Sequence, residues 1–196
     1  DYCASPDTLD AYNSMEKSQD HVPPKDFFYF SDYDASREQI SELSQVTLYT
    51  ALYDKQDIVQ AIEACYTLVV VTKEERMQCF AHGDLDPKYQ KHVVKFTKDD
   101  PVLAVEMFVS WPNPKQEEET LLEAVLFKTT KKTFGPFGNA ITLESIHQLP
   151  AEYSKKSTKL CYFNAPSKTA IPSFLGATTT ETKGRLNSLG INWLSL

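Results

Sequence analysis

The chain has 196 residues, 41% of them hydrophobic, enough for one domain with its own core or one domain with an extension. A formal net charge of -7 argues against non-specific nucleic-acid binding, which needs a basic face. The longest purely apolar run, Leu68 to Val71, is far too short to span a bilayer, so no transmembrane segment is expected.

The first residue is Asp1, as in a secreted protein whose leader has been removed or a chain trimmed for expression. Residues 1–25 are polar, poor in β-branched side chains and close with Pro23-Pro24, so they read as an N-terminal arm. Residues 26–196 read as the folded domain. From Phe27 onward, apolar stretches of period near two, such as Val105–Trp111 and Glu123–Thr129, alternate with turn clusters "SDYD", "HGDLDP", "WPNP", "GPFG" and "NAPS". That is an all-β pattern.

Two segments, 35–45 and 55–66, also carry helical propensity, the second with Ile58, Ile62 and Cys65 near helical spacing. An internal repeat overrules them. "IVQAIEACYT" at 58–67, "LLEAVLFKTT" at 121–130 and "RLNSLGINWL" at 185–194 align without gaps, starting 63 and then 64 residues apart. Each carries an aliphatic, a polar residue (Gln60, Glu123, Asn187), a small residue and a second aliphatic. Another extended stretch precedes each copy, so the chain is expected to form three antiparallel sheets covering one another's apolar faces, a three-sided prism.

The four cysteines, Cys3, Cys65, Cys79 and Cys161, lack the close pairing of zinc or redox sites and read as two disulfides in an oxidising, extracellular setting. Three connectivities are open. A hairpin turning near Thr72–Glu75 would bring Cys65 to Cys79, which favours that bridge and, with it, Cys3–Cys161. No N-glycosylation sequon occurs. Charge is uneven: residues 1–124 hold 11 Lys/Arg against 24 Asp/Glu, residues 125–196 hold 9 against 3. Two solvated faces of opposite sign account for this, as would a basic surface for an anionic partner.

The stretch "LLEAVLFKTTKKTFGPFG" (121–138) resembles the segment of jacalin-related lectins that runs through "KTNKKTYGPYG"-like residues. "RLNSLGINWLSL" (185–196) resembles the final strand of that family, and "SDYDASREQISELSQVTLYT" (31–50) its first repeat. The resemblance spans about residues 25–196 and implies a β-prism of three four-stranded antiparallel sheets. "GPFG" is expected to be a tight turn between sheets, with Gly135 and Gly138 supplying backbone freedom, Pro136 presetting the turn, and Phe134 and Phe137 anchoring it.

The family binds sugars through a G-x-x-x-D motif before the last strand and a Gly-rich loop near the start. The resemblance places Asn187 at the Asp and Lys183 at the Gly, while "HVPPKDFF" (21–28) stands where the Gly-rich loop would be. These changes point away from a conventional mannose or galactose site. Asn187 keeps one acceptor oxygen without the charge, and Lys183 adds a cation. The expected ligand-binding residues are Tyr29, Tyr33, Thr182, Lys183, Gly184, Arg185 and Asn187. With Lys155, Lys156, Lys159 and Lys168 in the same unit, that end suits acidic or sulfated glycans or an acidic extracellular protein; a merely solvated basic face accounts for any single lysine. Trp111 and Trp193 read as packing residues.

The histidines are scattered, "KQEEET" (115–120) reads as a solvated loop, and no hydrolase or metalloprotease motif occurs, so neither catalysis nor a cofactor or metal is expected. The sequence therefore predicts secreted lectin-like recognition of glycans, or a lectin-fold protein-interaction module that has lost sugar binding. It leaves oligomerisation open.

Overall fold

A computed structural model describes residues 2–4, 27–36, 39–53, 55–69, 74–112, 120–179 and 184–195. The fold is all-β. Among the described residues twelve strands run in chain order: β1 (Tyr2–Cys3), β2 (Phe27–Ser31), β3 (Ile40–Tyr53), β4 (Gln56–Val69), β5 (Glu75–Gly83), β6 (Gln90–Lys95), β7 (Val102–Pro112), β8 (Leu121–Thr129), β9 (Thr133–Gly138), β10 (Lys156–Asn164), β11 (Ile171–Thr179) and β12 (Leu186–Leu194). A single-turn helix α1 (Asp32–Ser36) follows β2, and 3-10 turns occupy Ile146–Gln148 and Ala151–Lys155. No described helix is long and apolar enough to cross a membrane.

The strands form three antiparallel sheets in the orders β5-β4-β3-β6, β10-β7-β8-β9 and β1-β12-β11-β2, the last completed by the two residues of β1. Each sheet is built on a central hairpin: β3–β4, β7–β8 or β11–β12. The three repeat copies fall on β4, β8 and β12, the second strand of each hairpin. Both segments with helical propensity are therefore strand over most of their length: pairing and burial override local preference, as β4 buries Ile58, Val59, Ile62 and Tyr66 completely.

One core joins all three sheets. It includes Val46, Leu48 and Ile62 of the first, Val105, Met107 and Val125 of the second, and Phe174, Leu186 and Leu189 of the last. Phe127 meets Phe174 edge-on at 6.4 Å and Phe96 at 5.7 Å, an aromatic chain that crosses from sheet to sheet. Trp111 and Trp193 pack against this core, half-buried.

The structure pairs Cys3 with Cys161 and Cys65 with Cys79. Cys65 and Cys79 sit directly opposite on β4 and β5, so the bridge staples an edge strand to its neighbour. Cys3–Cys161 ties β1 of the last sheet to β10 of the second.

Two turn expectations need correction. "GPFG" is not a turn between sheets but part of β9, the edge strand of the second sheet. Its irregularity is a register shift: Val125 pairs with Phe137 and Phe127 with Phe134, which leaves Gly135 and Pro136 out of the pairing. Phe134 and Phe137 pack against the core as expected. "SDYD" is likewise not a plain turn, since Asp32 begins α1 and is completely buried.

Candidate binding site

The polar residue of each repeat proves to be a bulge. In the first sheet Tyr49 pairs with Ala61 and Thr50 with Val59, so Gln60 is the extra residue. In the second, Phe108 pairs with Ala124 and Val109 with Leu122, leaving Glu123; in the last, Ala177 pairs with Ser188 and Thr178 with Leu186, leaving Asn187. A bulge puts an extra residue against one partner and re-aims side chains near a strand end. All three bulged residues are buried. The backbone pays close attention to them: Gly83 and Gly138, both at positive φ (105° and 92°), pair with Ala61 and Ala124, the residues just after the bulges. A Cβ on Gly138 would strike the Glu123 carbonyl oxygen, and one on Gly83 would lie 2.5 Å from that of Gln60.

The ends of the three hairpins converge at one pole. Arg185, at the start of β12, is 1% exposed; its guanidinium lies 5.0 Å from the Tyr53 ring and donates to the Thr120 carbonyl at 3.3 Å. Lys156 donates to Gln56 Oε1 at 2.8 Å and lies 5.4 Å from the Tyr153 ring. The Asn139 amide donates to Glu123 Oε1 at 3.0 Å and to the Tyr153 hydroxyl at 2.9 Å. Burial raises the Glu123 carboxyl above its ordinary value, while Tyr153, Lys156, Ser110 and Asn139 pull the other way. Burial also lifts Tyr153, and the Glu123 charge adds to the effect.

Asn187 is completely buried at the last bulge; its Oδ1 accepts from Ser188 Oγ at 2.9 Å, and its Nδ2 has no hydrogen-bond partner among the described residues. Gly184, at φ 75°, forms the turn before it, where Thr179 N–H donates to the Arg185 carbonyl at 2.9 Å. Thr182 and Lys183 lie outside the described residues, as does most of "KQEEET", of which Thr120 is buried. Tyr29 lies on β2 opposite Ala177, and Ala177 in turn lies opposite Ser188, so the ring is two strands from the bulge. It packs against Ala4, Leu175 and Ala177, and burial pushes its hydroxyl up to about 12.

Tyr29, Gly184, Arg185 and Asn187 thus share the pole. Tyr33 is on α1, beyond the end of β2 that pairs Ser31 with Leu175, away from the hairpin turns. Arg185 does not contribute to an exposed basic face as expected, because its charge is enclosed between two hairpins. Lys155 and Lys159 are exposed, as that expectation required.

Sequence reasoning missed Tyr53, Gln56, Asn139 and Tyr153. The polar position of the repeat was a usable signal, since a buried polar residue recurring in apolar strands marks a shared backbone irregularity. It also missed the partners of Asp32: Tyr66 donates to Oδ2 at 2.5 Å, and His82 Nε2 lies 2.6 Å from Oδ1 with its ring stacked on Phe30 at 3.6 Å. Glu63, Cys65 and Cys79 hold potential ligand atoms within 4.8 Å, yet the two sulfurs are joined in a disulfide and are not free to bind metal.

No protein-family model matches the chain, and no curated protein matches it in sequence. Solved structures do. A mannose-specific jacalin-related lectin from Morus nigra, in complex with mannose, is similar over 87% of this chain and 92% of its own, with a TM-score of 0.57 and 14% identity. The artocarpin–mannotriose complex covers 85% and 89% at TM-score 0.55 and 17% identity. Frutalin from Artocarpus incisa covers 86% and 87% at 0.54 and 14%. The chain therefore has a jacalin-like lectin fold.

Proposed function

We propose that this protein is a secreted recognition domain, a lectin rather than an enzyme, in which residues 26–196 form a β-prism and residues 1–25 an arm held by Cys3. Its ligand is an acidic or sulfated glycan, bound at the hairpin pole by Tyr29, Thr182, Lys183, Gly184 and Asn187, with the buried Arg185 contributing positive charge from within; Tyr33 lies away from this pole and is not part of the site. The observation that carries this reading is Asn187, a buried amide at the bulge of the last sheet whose Nδ2 finds no acceptor among the described residues. A buried donor left without a partner is costly, and an anionic oxygen of a ligand would satisfy it. Replacing a carboxylate by an amide also turns an acceptor-only position into a donor, which suits acidic sugars better than hydroxyls alone. Two disulfides fit an oxidising compartment.

The test is retention on a sulfated-glycan column. The net charge of -7 disfavours non-specific retention, so binding reports a local site. Lys183→Glu should elute earlier than the parent; unchanged elution removes Lys183 from the contact. Charge reversal at Arg185 is not a clean probe, because it would bury an unpaired carboxylate.

A second reading, a protein-interaction module, is favoured by two exposed apolar side chains at the same end, Phe28 (61% exposed, opposite Thr178) and Leu52 (75% exposed, opposite Asp57). A folded sample that binds no glycan yet captures an extracellular protein, with capture lost in a Phe28→Ser, Leu52→Ser variant, would establish it.

A further inference from the structure

At the pole opposite the hairpin turns, a cleft of about 360 Å³ opens where the first ends of β3, β7 and β11 meet. Its lining mixes aliphatic side chains, with Leu43 and Val69 from the first sheet, Val102 from the second and Ile171 from the last, with polar and charged ones. A cleft of this size with apolar walls and a few polar groups matches small-molecule sites in general. Among the described residues no aromatic side chain lines it, so they offer no stacking platform for a sugar ring.

The charged groups of the lining are not equivalent. Lys98 Nζ is held by Glu75 Oε1 at 3.1 Å. Glu42 has no ion pair at that range among the described residues and shares the field of Lys98 with Glu75. Partial burial lifts its carboxyl above the ordinary value, Lys98 opposes the shift and Glu75 adds to it; Lys168 lines the cleft from the β10–β11 connection. An apolar cavity edged by an under-compensated carboxylate is complementary to a cation carried on a hydrocarbon.

We propose that this cleft is a second binding site, separate from the hairpin pole, for a small aliphatic amine whose chain lies against Leu43, Val102 and Ile171 and whose ammonium pairs with Glu42. Burial of the chain supplies the affinity, and the charge-assisted hydrogen bond to Glu42 supplies the selection. Lys168 orients the amine by repelling it from the other side of the mouth.

The experiment is an NMR titration of the full chain with hexylamine, hexan-1-ol and hexanoate, with amide shifts followed at Leu43, Val102 and Ile171. Hexylamine is expected to bind more tightly than hexanol and hexanoate and to weaken about three- to ten-fold in Glu42→Gln, the loss of one partly solvated charged contact. Lys168→Gln, at an exposed position, should leave hexylamine binding unchanged or tighter. Hexanoate binding as tightly as hexylamine, indifference to Glu42→Gln, weakening in Lys168→Gln, or shifts confined to other residues would each overturn the proposal. Glycan binding is read at the opposite pole, so failure here leaves the lectin reading intact, and the reverse holds.

Discussion

Replacing Tyr66 by Phe removes one buried oxygen and keeps the ring, so its effect isolates a hydrogen-bonded junction between two sheets. The hydroxyl donates to Asp32 Oδ2 and accepts the Phe174 N–H at 3.0 Å. β2 stops pairing with β11 at the Ser31–Leu175 pair, and Tyr66 takes up the next N–H along β11. Loss of a hydrogen bond to a charged group costs about 1.5–3 kcal/mol, and an orphaned buried N–H about 1–3 kcal/mol. Since the two losses share one atom, the total is about 3–5 kcal/mol, or about 6–20 °C in melting temperature for a chain of this length. Thermal unfolding followed by circular dichroism reads the shift, and urea unfolding gives the free energy. His82 stays within reach of Asp32, so the Tyr66→Phe chain should still fold. A loss below about 1 kcal/mol would refute the reasoning, since water or a rearranged partner would then satisfy both groups without cost.

Gly138→Ala should lose about 3 kcal/mol in urea unfolding, because its Cβ meets the Glu123 carbonyl from a positive-φ backbone; a neutral result would mean that the bulge is free to shift. Glu123→Gln carries a pH signature. The folded chain holds the Glu123 proton more tightly than the unfolded chain, so wild-type stability from this site is present at low pH and falls as pH rises through the raised value. The stability of the Gln variant relative to the parent should therefore be flat below the ordinary glutamate range and increase with pH above it; a decrease contradicts the account. Removing Cys3–Cys161, with a sequence separation of 158, should cost more than removing Cys65–Cys79, with a separation of 14. Loop entropy puts the costs at about 5 and about 3 kcal/mol, to be compared as Cys3→Ser, Cys161→Ser against Cys65→Ser, Cys79→Ser.

What was legible in the sequence was whatever repeats or is local. The recurrence of one polar residue among aliphatics placed the second strand of every sheet and overruled helical propensity at 55–66. The Cys65–Cys79 bridge followed from a short hairpin, and the two Trp residues pack as expected. What was not legible depends on pairing between distant segments. That the repeat's polar residue is a bulge requires knowing which residue on the partner strand goes unmatched. Glycine and proline in "GPFG" signal an irregular backbone, and a register shift inside an edge strand uses the same residues as a turn. Asp32 and His82 are 50 positions apart with no local cue, and burial of the Arg185 charge depends on Tyr53 and Thr120 from the other two sheets.

The central claim is that the hairpin pole recognises acidic sugars through Asn187 and its neighbours, and a glycan array bearing sulfated and sialylated structures tests it most directly. The account predicts binding to that subset by the parent chain and its loss in an Asn187→Ala, Lys183→Ala variant that keeps the parent's strand spectrum. Absence of binding by a folded, monodisperse parent sample, or binding that survives in the variant, would contradict it.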